Sequence, residues 1–233
     1  MRLLRRLILI TLLLAILTAI GIASFFIYNG HKMYEDYISE TPLEKKVSSI
    51  RDNKDFTGIN DVPKYFTDAI IAVEDHRYKE HGAIDLIAIF RALISNAKAK
   101  ELNEGGSTLT QQVAKNLYFM SEKNYRYRKI AEAFVAFDLE NKYSKDEILE
   151  LYINTIYYGQ GYYGIKQAAN GYYNKEPKDL TLDEATILAG VPNAPSVYNP
   201  VANPDLAKNR QQKVISDMVE YGYLTKEEAE KIK

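Results

Sequence analysis

The sequence contains no cysteine among its 233 residues, which excludes disulfide bonds and cysteine-ligated metal sites. Tryptophan is also absent and histidine occurs three times, whereas tyrosine occurs 19 times. An excess of positive charge is lacking as well, because 30 lysines and arginines face 31 acidic residues and the formal net charge is −1. A nucleic-acid-binding domain usually has a strongly basic face, so this balance argues against nucleic acid as a partner.

Charged residues are missing from a long apolar run near the N-terminus, at residues 7–28. At about 1.5 Å of rise per helical residue, this run is long enough to cross the hydrocarbon core of a bilayer. Three basic residues precede it: Arg2, Arg5 and Arg6. We therefore expect a basic end at residues 1–6 that stays in the cytoplasm and an uncleaved transmembrane anchor at residues 7–28. The alternative is a signal peptide cleaved after Ala23, although the run is longer than the apolar part of most signal peptides.

The rest of the chain divides into a polar stalk and entry segment, residues 29–60, and one folded domain, residues 61–233. The domain is expected to be mostly α, because apolar residues recur at helical spacing along most of it. Extended structure is expected only as short pieces near residues 50–60. Capping boxes mark three helix starts: Ser144 with Glu147, Thr181 with Glu184, and Thr225 with Glu228. Four prolines at residues 191–204 predict an ordered non-helical loop.

Two acidic residues, Glu74 and Asp75, directly follow the apolar residues at 69–73. If a helix ends here, its dipole disfavours negative charge, and a partly buried carboxyl group in this place should have a raised pKa. Such a group suits a general base. The alternative is that both carboxylates pair with Arg77 and Lys79 on a solvated turn.

Glu132 is the one charged residue within residues 130–137, a stretch that otherwise reads as a helix that is apolar on every side. A buried charge needs either a partner or a function. Arg128 and Lys129 precede Glu132 by four and three residues, so they lie on the same helix face. A structural ion pair between Arg128 and Glu132 is therefore the alternative to a functional glutamate.

The stretch "EGGSTLTQQ", residues 104–112, combines two glycines with neutral hydrogen-bonding side chains. Glycine permits an unusual backbone, and Ser107 and Thr108 are good N-cap residues for a following helix. Free N–H groups at a helix N-terminus bind anions, and the cation Lys115 follows shortly after. The pattern predicts a cradle for a phosphate or pyrophosphate. The alternative is a capped turn between two helices.

Five segments then occur in a fixed order: "EDHRYKEHGAID" (74–85), "GGSTLTQQVAKN" (105–116), "RKIAE" (128–132), "KDEILELYIN" (145–154) and "RQQKVI" (210–215). In order and spacing they resemble the five motifs of the peptidoglycan glycosyltransferases, glycosyltransferase family 51. That family includes monofunctional transglycosylases and the N-terminal domains of class A penicillin-binding proteins. The resemblance covers roughly residues 60–230. The chain departs from the family pattern at Tyr78, where phenylalanine is usual, and in the glycine that follows His81, which stands one position early.

The resemblance implies a lysozyme-like helical domain with a smaller, membrane-facing jaw lobe. It also implies an enzyme that polymerises lipid II into β-1,4-linked glycan strands and releases undecaprenyl pyrophosphate, by inverting single displacement. Glu74 matches the base that takes the proton from the acceptor hydroxyl. Glu132 matches a second glutamate on the donor side, near the pyrophosphate.

Substrate-binding roles are expected for ten further residues. The donor phosphates and sugar would be held by Ser107, Thr108, Gln111, Gln112, Lys115, Lys123, Arg128 and Lys129. Asp75 and Arg77 match residues that order the first motif. No tightly bound cofactor and no dedicated metal site are expected, and a divalent cation, magnesium or manganese, stays open as an aid at the pyrophosphate. For His81 a hydrogen-bonding role is favoured over metal ligation together with His76 and Asp85.

The partners implied by the resemblance are lipid II and the growing glycan strand, membrane lipid, moenomycin-type inhibitors and other cell-wall synthesis proteins. The implied location is the bacterial cell membrane, with a single span and the catalytic domain outside the cytoplasm. Two other functions stay open. One is a membrane-anchored hydrolase of the muramidase type, and the other is a non-catalytic cell-wall scaffold. A transpeptidase domain after Lys233 also stays open, because the last residues resemble the junction that precedes it in bifunctional relatives.

Overall fold

The computed structural model describes residues 2–99 and 105–232. Within these residues every regular element is helical, and the one pairing of extended backbone is an isolated antiparallel bridge between Tyr157 and Tyr163. The predicted mostly α class is confirmed. Of the extended pieces predicted near residues 50–60, the structure has a short non-helical stretch at residues 56–58 with extended angles at Gly58, between the end of a helix and a 3-10 helix at Ile59–Asp61.

The α-helices of the described residues follow one another in this order: α1 (Arg2–Glu40), α2 (Leu43–Arg51), α3 (Lys64–Glu74), α4 (Leu86–Ala99), α5 (Leu109–Ala114), α6 (Tyr125–Lys142), α7 (Lys145–Thr155), α8 (Ile165–Tyr173), α9 (Leu182–Gly190), α10 (Pro204–Glu220) and α11 (Lys226–Ala229). A π-helical segment, Lys115–Phe119, follows α5 directly. Further 3-10 turns lie at Pro177–Asp179 and Val191–Asn193. The second of these places a helical turn inside the proline-rich segment that was expected to be a non-helical loop.

Helix α1 is long and apolar enough to cross a membrane, and the side chains of its apolar part are exposed. The helix does not stop at residue 28 but continues to Glu40, and its last part packs against α6. Helix α2 follows after a short turn and places Leu43 and Val47 in the hydrophobic core. The segment 29–60 is therefore largely helical and joined to the domain by packing, while the domain boundary at residue 60 stays a prediction.

Helix starts follow the capping chemistry of the sequence. All three predicted capping boxes are present, with reciprocal hydrogen bonds between the cap residue and the glutamate three residues later. A fourth box, which sequence reasoning did not identify as such, joins Thr108 and Gln111 at the start of α5. These boxes satisfy N–H groups that the first turn of a helix leaves without partners.

The core of the domain is formed by one face each of α3, α5, α6, α7 and α9, with α10 closing one side. Helix α3 is buried along residues 69–72, and it packs against α9 and α10. Helix α5 is short and almost entirely buried, and it packs against both α6 and α7. This arrangement brings the C-terminal end of α3 next to the N-terminal end of α5, which is where the acidic first motif and the glycine-rich segment meet.

Candidate active site

Glu74 is the last residue of α3, which ends here because Asp75 adopts an extended φ of −160°. Its Oε2 accepts a hydrogen bond of 2.9 Å from Gln112 Nε2, and its Oε1 is buried without a hydrogen-bond partner in the described part of the chain. Burial is the main cause that raises the pKa of Glu74, and it outweighs the hydrogen bond from Gln112 and the charge of Arg210, which both lower it. A carboxyl group held in this way suits a general base.

Asp75 is buried and joins two segments of the chain rather than facing solvent. Its Oδ1 lies 2.7 Å from His81 Nε2, and its Oδ2 accepts a hydrogen bond of 2.9 Å from the backbone N–H of Leu109. The other ring nitrogen of His81 lies 2.7 Å from the carbonyl oxygen of Gly82. Asp75 thereby fixes the end of α3 to the start of α5. His81 has the hydrogen-bonding role that the sequence favoured for it.

Arg77 pairs with the carboxylates of Glu80 and Asp85, at 3.3 Å and 3.7 Å from its Nε. Asp85 is buried, and its Oδ1 caps α4 by accepting from the N–H groups of Ile87 and Ala88. The alternative in which Glu74 and Asp75 pair with Arg77 and Lys79 on a solvated turn is therefore not the arrangement of the structure. Arg77 orders the loop between α3 and α4.

We call the glycine-rich segment of residues 104–112 the elbow. The structure describes it from Gly105 onward, and Glu104 lies outside the described residues. A Cβ on Gly106 would lie 3.1 Å from the Cα of Ile89, so this glycine permits a close approach to α4. Thr108 caps α5, and its hydroxyl also donates to the carbonyl of Ala83 at 2.8 Å. Thr108 and Gln111 are both buried and engaged with each other, so they build the elbow, whereas Ser107 is partly exposed at its surface.

A cluster of three cations and one carboxylate lies beyond Ser107, and we call it the basic cluster: Lys115, Arg128, Lys129 and Glu132. Lys129 Nζ lies 2.6 Å from Glu132 Oε2 and donates to Ser107 Oγ at 3.2 Å. Arg128 Nε lies 3.1 Å from Glu132 Oε1, a contact between opposite charges without the geometry of a hydrogen bond. Glu132 is 0% exposed. The ion pair between Arg128 and Glu132 that the sequence left open as an alternative is thus present. Lys129 and Ser107 extend this cluster toward the elbow.

The basic cluster carries more positive than negative charge. Burial lowers the pKa of Lys115, and the neighbouring charges of Arg128 and Lys129 lower it further against the opposing effect of Glu132. Lys115 opens the π-helical segment, a kind of helix that is rare and often found at functional sites. A group of cations that repel one another is favourable to an incoming anion, so the cluster suits a pyrophosphate.

A cavity of about 450 Å³ opens in front of Glu74. Its lining includes Glu74, Ser107 and Gln112, together with Arg210 and Lys213 of α10. Sequence reasoning missed these two cations, as well as Arg91 and Asn193 on the cavity wall. The segment at 210–215 was recognised as a motif, and its first residue, Arg210, was the available signal.

Lys123, like Arg77, Thr108 and Gln111, is a predicted binding residue that does not line the cavity. Its side chain is exposed and does not line the cavity. The segment between the π-helix and α6 that carries it is a turn at the surface, where its carbonyl accepts from the N–H of Tyr125. The side chains of Lys98 and Lys100, two basic residues shortly before the elbow in the sequence, lie outside the described residues.

A divalent cation finds no suitable donor set at the first motif. Among the described residues, one group of three possible metal ligands comes together: Asp75, His81 and Asp85. Both ring nitrogens of His81 already face oxygen atoms, and although burial opposes its charged form, the hydrogen bonds with Asp75 and Gly82 raise its pKa. Asp75 and Asp85 accept from backbone N–H groups. Asp85 Oδ2 is buried without a hydrogen-bond partner in the described part of the chain, but it lies 3.7 Å from the cationic Arg77 Nε. Because His81 and Asp75 are engaged with each other and Asp85 faces a cation, no step is assigned to a metal here.

His76, the other histidine considered as a ligand, is engaged elsewhere. Its ring stacks on Tyr221 with centroids 4.2 Å apart, and its Nε2 lies 3.1 Å from Arg91 Nη1. Burial first and the charge of Arg91 second lower the pKa of His76. His76 therefore links α4 to the end of α10 beside the cavity.

A helical domain with a partly buried glutamate at the wall of a cavity and a basic cluster beside it is typical of an enzyme that transfers a group from an anionic leaving group. Residues 41–219 match the family model described as transglycosylase, so the chain belongs to the transglycosylase family. The resemblance to the peptidoglycan glycosyltransferases is thereby confirmed.

The relatives of the chain are longer proteins. It is 49% identical to penicillin-binding protein 1A of Neisseria flavescens over 172 residues, which cover 74% of this chain and 21% of that protein. It is 39% identical to penicillin-binding protein 1F of Bacillus subtilis over 231 residues, which cover 95% of this chain and 32% of that protein. The chain thus spans about a fifth to a third of the length of these relatives.

One solved structure that it matches is penicillin-binding protein 1A from Haemophilus influenzae, with 26% identity, a TM-score of 0.44, and coverage of 75% of this chain and 16% of that one.

Proposed function

We propose that the domain is a peptidoglycan glycosyltransferase, which polymerises lipid II into β-1,4-linked glycan strands and releases undecaprenyl pyrophosphate. The observation that carries this proposal is the position of Glu74, a carboxyl group with a raised pKa at the wall of a 450 Å³ cavity. Ser107 lines the same cavity and connects it to the basic cluster through Lys129. Membership in the transglycosylase family supports the same reaction class.

The proposed reaction is a single displacement with Glu74 as the base. Glu74 takes the proton from the 4-hydroxyl of the acceptor GlcNAc, and the hydroxyl oxygen attacks the anomeric carbon of the donor sugar. The bond from that carbon to the pyrophosphate oxygen breaks, and its electron pair leaves with undecaprenyl pyrophosphate. Because attack and departure take place on opposite faces of the carbon, the configuration is inverted.

The leaving group needs cations rather than an acid, because the pyrophosphate is already anionic. In the proposed donor site, Lys115, Arg128 and Lys129 hold its phosphates, and the hydroxyl of Ser107 adds a hydrogen bond. Glu132 has its role through these cations, since it holds Arg128 and Lys129 at fixed positions. Gln112 positions Glu74 by donating to its Oε2.

The membrane is the proposed location of the reaction, since lipid II carries an undecaprenyl chain. Helix α1 is proposed to anchor the chain, with its N-terminus in the cytoplasm and the domain outside. Helix α4 presents a second apolar surface, in which Leu86, Ile87, Phe90 and Leu93 are each at least 60% exposed. We propose that this face contacts membrane lipid as part of the jaw lobe, and that moenomycin-type inhibitors and cell-wall synthesis proteins are further partners.

The proposed function is tested by incubating the full chain in detergent with labelled lipid II and sizing the products. Long glycan strands together with released undecaprenyl pyrophosphate are expected. Cleavage of preformed glycan without polymer formation would favour the muramidase-type hydrolase. Absence of both reactions would favour the scaffold.

Removing cations from the basic cluster should weaken binding of a phosphate-bearing inhibitor. For Lys115→Ala and Lys129→Ala we expect the affinity for moenomycin to fall by roughly 1.5–3 kcal/mol each, the usual contribution of a charge-assisted hydrogen bond. The measurement is direct binding of labelled moenomycin to the purified variants. Lys54→Ala, at an exposed position outside the cavity, is the control and should bind like the parent. Parental affinity in both cluster variants would place the phosphate site elsewhere.

The anchor should remain on the chain. Helix α1 runs without interruption through residue 23 to Glu40, and its aromatic residue Phe25 already packs near Tyr127 of α6. N-terminal sequencing of protein extracted from membranes should therefore begin at or next to Met1. A sequence that began at Ser24 would show that the apolar run is a cleaved signal peptide.

A further inference from the structure

Helices α1 and α6 pack closely at Gly30. A Cβ atom at this position would lie 2.5 Å from both Cβ and Cγ2 of Ile130 and 3.1 Å from the carbonyl oxygen of Tyr127. Gly21, earlier in the same helix, has nothing within 4 Å of a Cβ. Any side chain at position 30 would therefore force α1 and α6 apart, while one at position 21 would not.

The turn of α6 that Gly30 contacts is the turn that carries the basic cluster. Tyr127 and Ile130 directly flank Arg128 and Lys129, which pair with the buried Glu132. A displacement of α6 at this turn would move the two cations together with the backbone. The packing distance between α1 and α6 at Gly30 therefore also sets how far the proposed phosphate site lies from the anchor helix.

Contacts on both sides of Gly30 fix the register of the two helices. Before it, the ring of Phe26 lies 5.8 Å from that of Tyr127. After it, Tyr34 packs 5.6 Å from Phe134, and its hydroxyl donates to Asp138 Oδ2 at 2.7 Å. Helix α1 can therefore neither slide along α6 nor rotate against it without breaking these contacts.

The crossing at Gly30 also sets the height of the first turns of α6 above the bilayer. An α-helix is a stiff rod with a fixed rise per residue, so a fixed contact at Gly30 also fixes how far the first turns of α6 lie from the apolar run of α1. The undecaprenyl chain of a membrane-bound donor keeps its pyrophosphate at the level of the lipid head groups. The cations that bind this group must be held at that level.

We propose that Gly30 is a positioning residue for the glycosyltransferase reaction, and that the close crossing of α1 and α6 holds Arg128 and Lys129 at the height of the donor pyrophosphate. This inference rests on the proposed function. Gly30 touches neither substrate nor reacting atoms and acts through the backbone of α6. Its effect should consequently appear in donor binding more than in the chemical step.

The test compares Gly30→Leu with Gly21→Leu in the full chain, reconstituted in liposomes that contain lipid II. Both substitutions improve helix propensity equally, so they differ in the contact with α6. For Gly30→Leu we expect KM for lipid II to rise by roughly tenfold or more, with a smaller change in kcat, and the affinity for moenomycin to fall in parallel. Gly21→Leu should retain the parental constants. Parental KM and affinity in Gly30→Leu, or a loss confined to kcat, would overturn the proposal.

A structural readout separates this inference from the proposed function. Hydrogen exchange of the amides at residues 125–132 should become faster in Gly30→Leu, while α7 and α9 retain parental protection. A parent that does not polymerise lipid II would refute the proposed function, and the exchange experiment would still decide whether Gly30 positions α6. If Gly30→Leu does not fold, Gly30→Ala replaces it. Its defect in moenomycin affinity should be reduced by adding Ile130→Gly, which returns the space to the crossing, and an unreduced defect would count against the proposal.

Discussion

Glu74→Gln should lower the rate of lipid II polymerisation by about 10²–10⁴-fold, the usual loss when a positioned base is removed. Glutamine has nearly the same shape, and its carbonyl oxygen can still accept the hydrogen bond from Gln112, but it cannot take a proton. Moenomycin affinity should survive, because Glu74 lies outside the basic cluster. The measurements are the initial polymerisation rate and inhibitor binding on the same preparation.

The pH dependence of the parent provides a second measurement on Glu74. The base must be ionised, and burial raises its pKa above the ordinary value of 4.5. As the pH is lowered, kcat/KM should therefore begin to fall at a higher pH than it would for a base with an ordinary glutamate pKa. Asp68→Asn, a change on the same helix at a residue paired with Lys64, is the control and should keep both the rate and the pH profile. A Glu74→Gln variant with a near-parental rate would remove Glu74 from the role of base.

The same pKa shift predicts how Glu74→Gln affects stability. The folded-state pKa of Glu74 is raised, so its favourable contribution to folding is fully present below the unfolded pKa and is lost as the pH rises through the folded pKa. At neutral pH the ionised, half-buried carboxylate therefore destabilises the fold. Glu74→Gln should unfold at the parental temperature or above at neutral pH, and this advantage should disappear in acid. A stability loss at neutral pH would indicate a structural role.

Glu132→Gln should abolish most activity for a different reason and should also destabilise the domain. Glu132 is 0% exposed and pairs with both Arg128 and Lys129, so its replacement leaves both cations near a buried helix without this counter-charge. Breaking a buried ion pair of this kind typically costs roughly 3 kcal/mol. The free energy of unfolding should fall accordingly, and moenomycin affinity should change together with activity.

The control for Glu132→Gln is Glu140→Gln on the same helix. Glu140 is also ion-paired, with Lys145 at 2.7 Å, but it is more exposed and is not paired with the cations of the basic cluster. We expect a smaller loss of stability there and parental moenomycin affinity. If Glu132→Gln were less stable but retained parental affinity and polymerisation at low temperature, Glu132 would be a structural ion pair alone, as the scaffold reading holds.

Local signals in the sequence were sufficient for much of the helical framework. The cap pairs at Ser144, Thr181 and Thr225 each predicted a helix start that the structure confirms, because a capping box is satisfied within four consecutive residues. The end of α3 at Glu74 and the ion pair between Arg128 and Glu132 are local in the same sense. The continuation of α1 past residue 28 was missed, since residues 29–40 are polar on their solvent side and become a helix through packing on α6.

The sequence by itself thus determined the helical class, the family, and the identity of Glu74 and Glu132 as the carboxylates of interest. Tertiary structure alone decided which groups from other helices and loops lie near these carboxylates. The hydrogen bond from Gln112 to Glu74, the link from Lys129 to Ser107 and the cations of α10 that line the cavity join residues that are far apart in the chain. Lys123 shows the opposite case: it is close to the second and third motifs in the sequence, but its side chain faces solvent. Burial and charge depend on distances across helices, and these distances follow from how the helices pack.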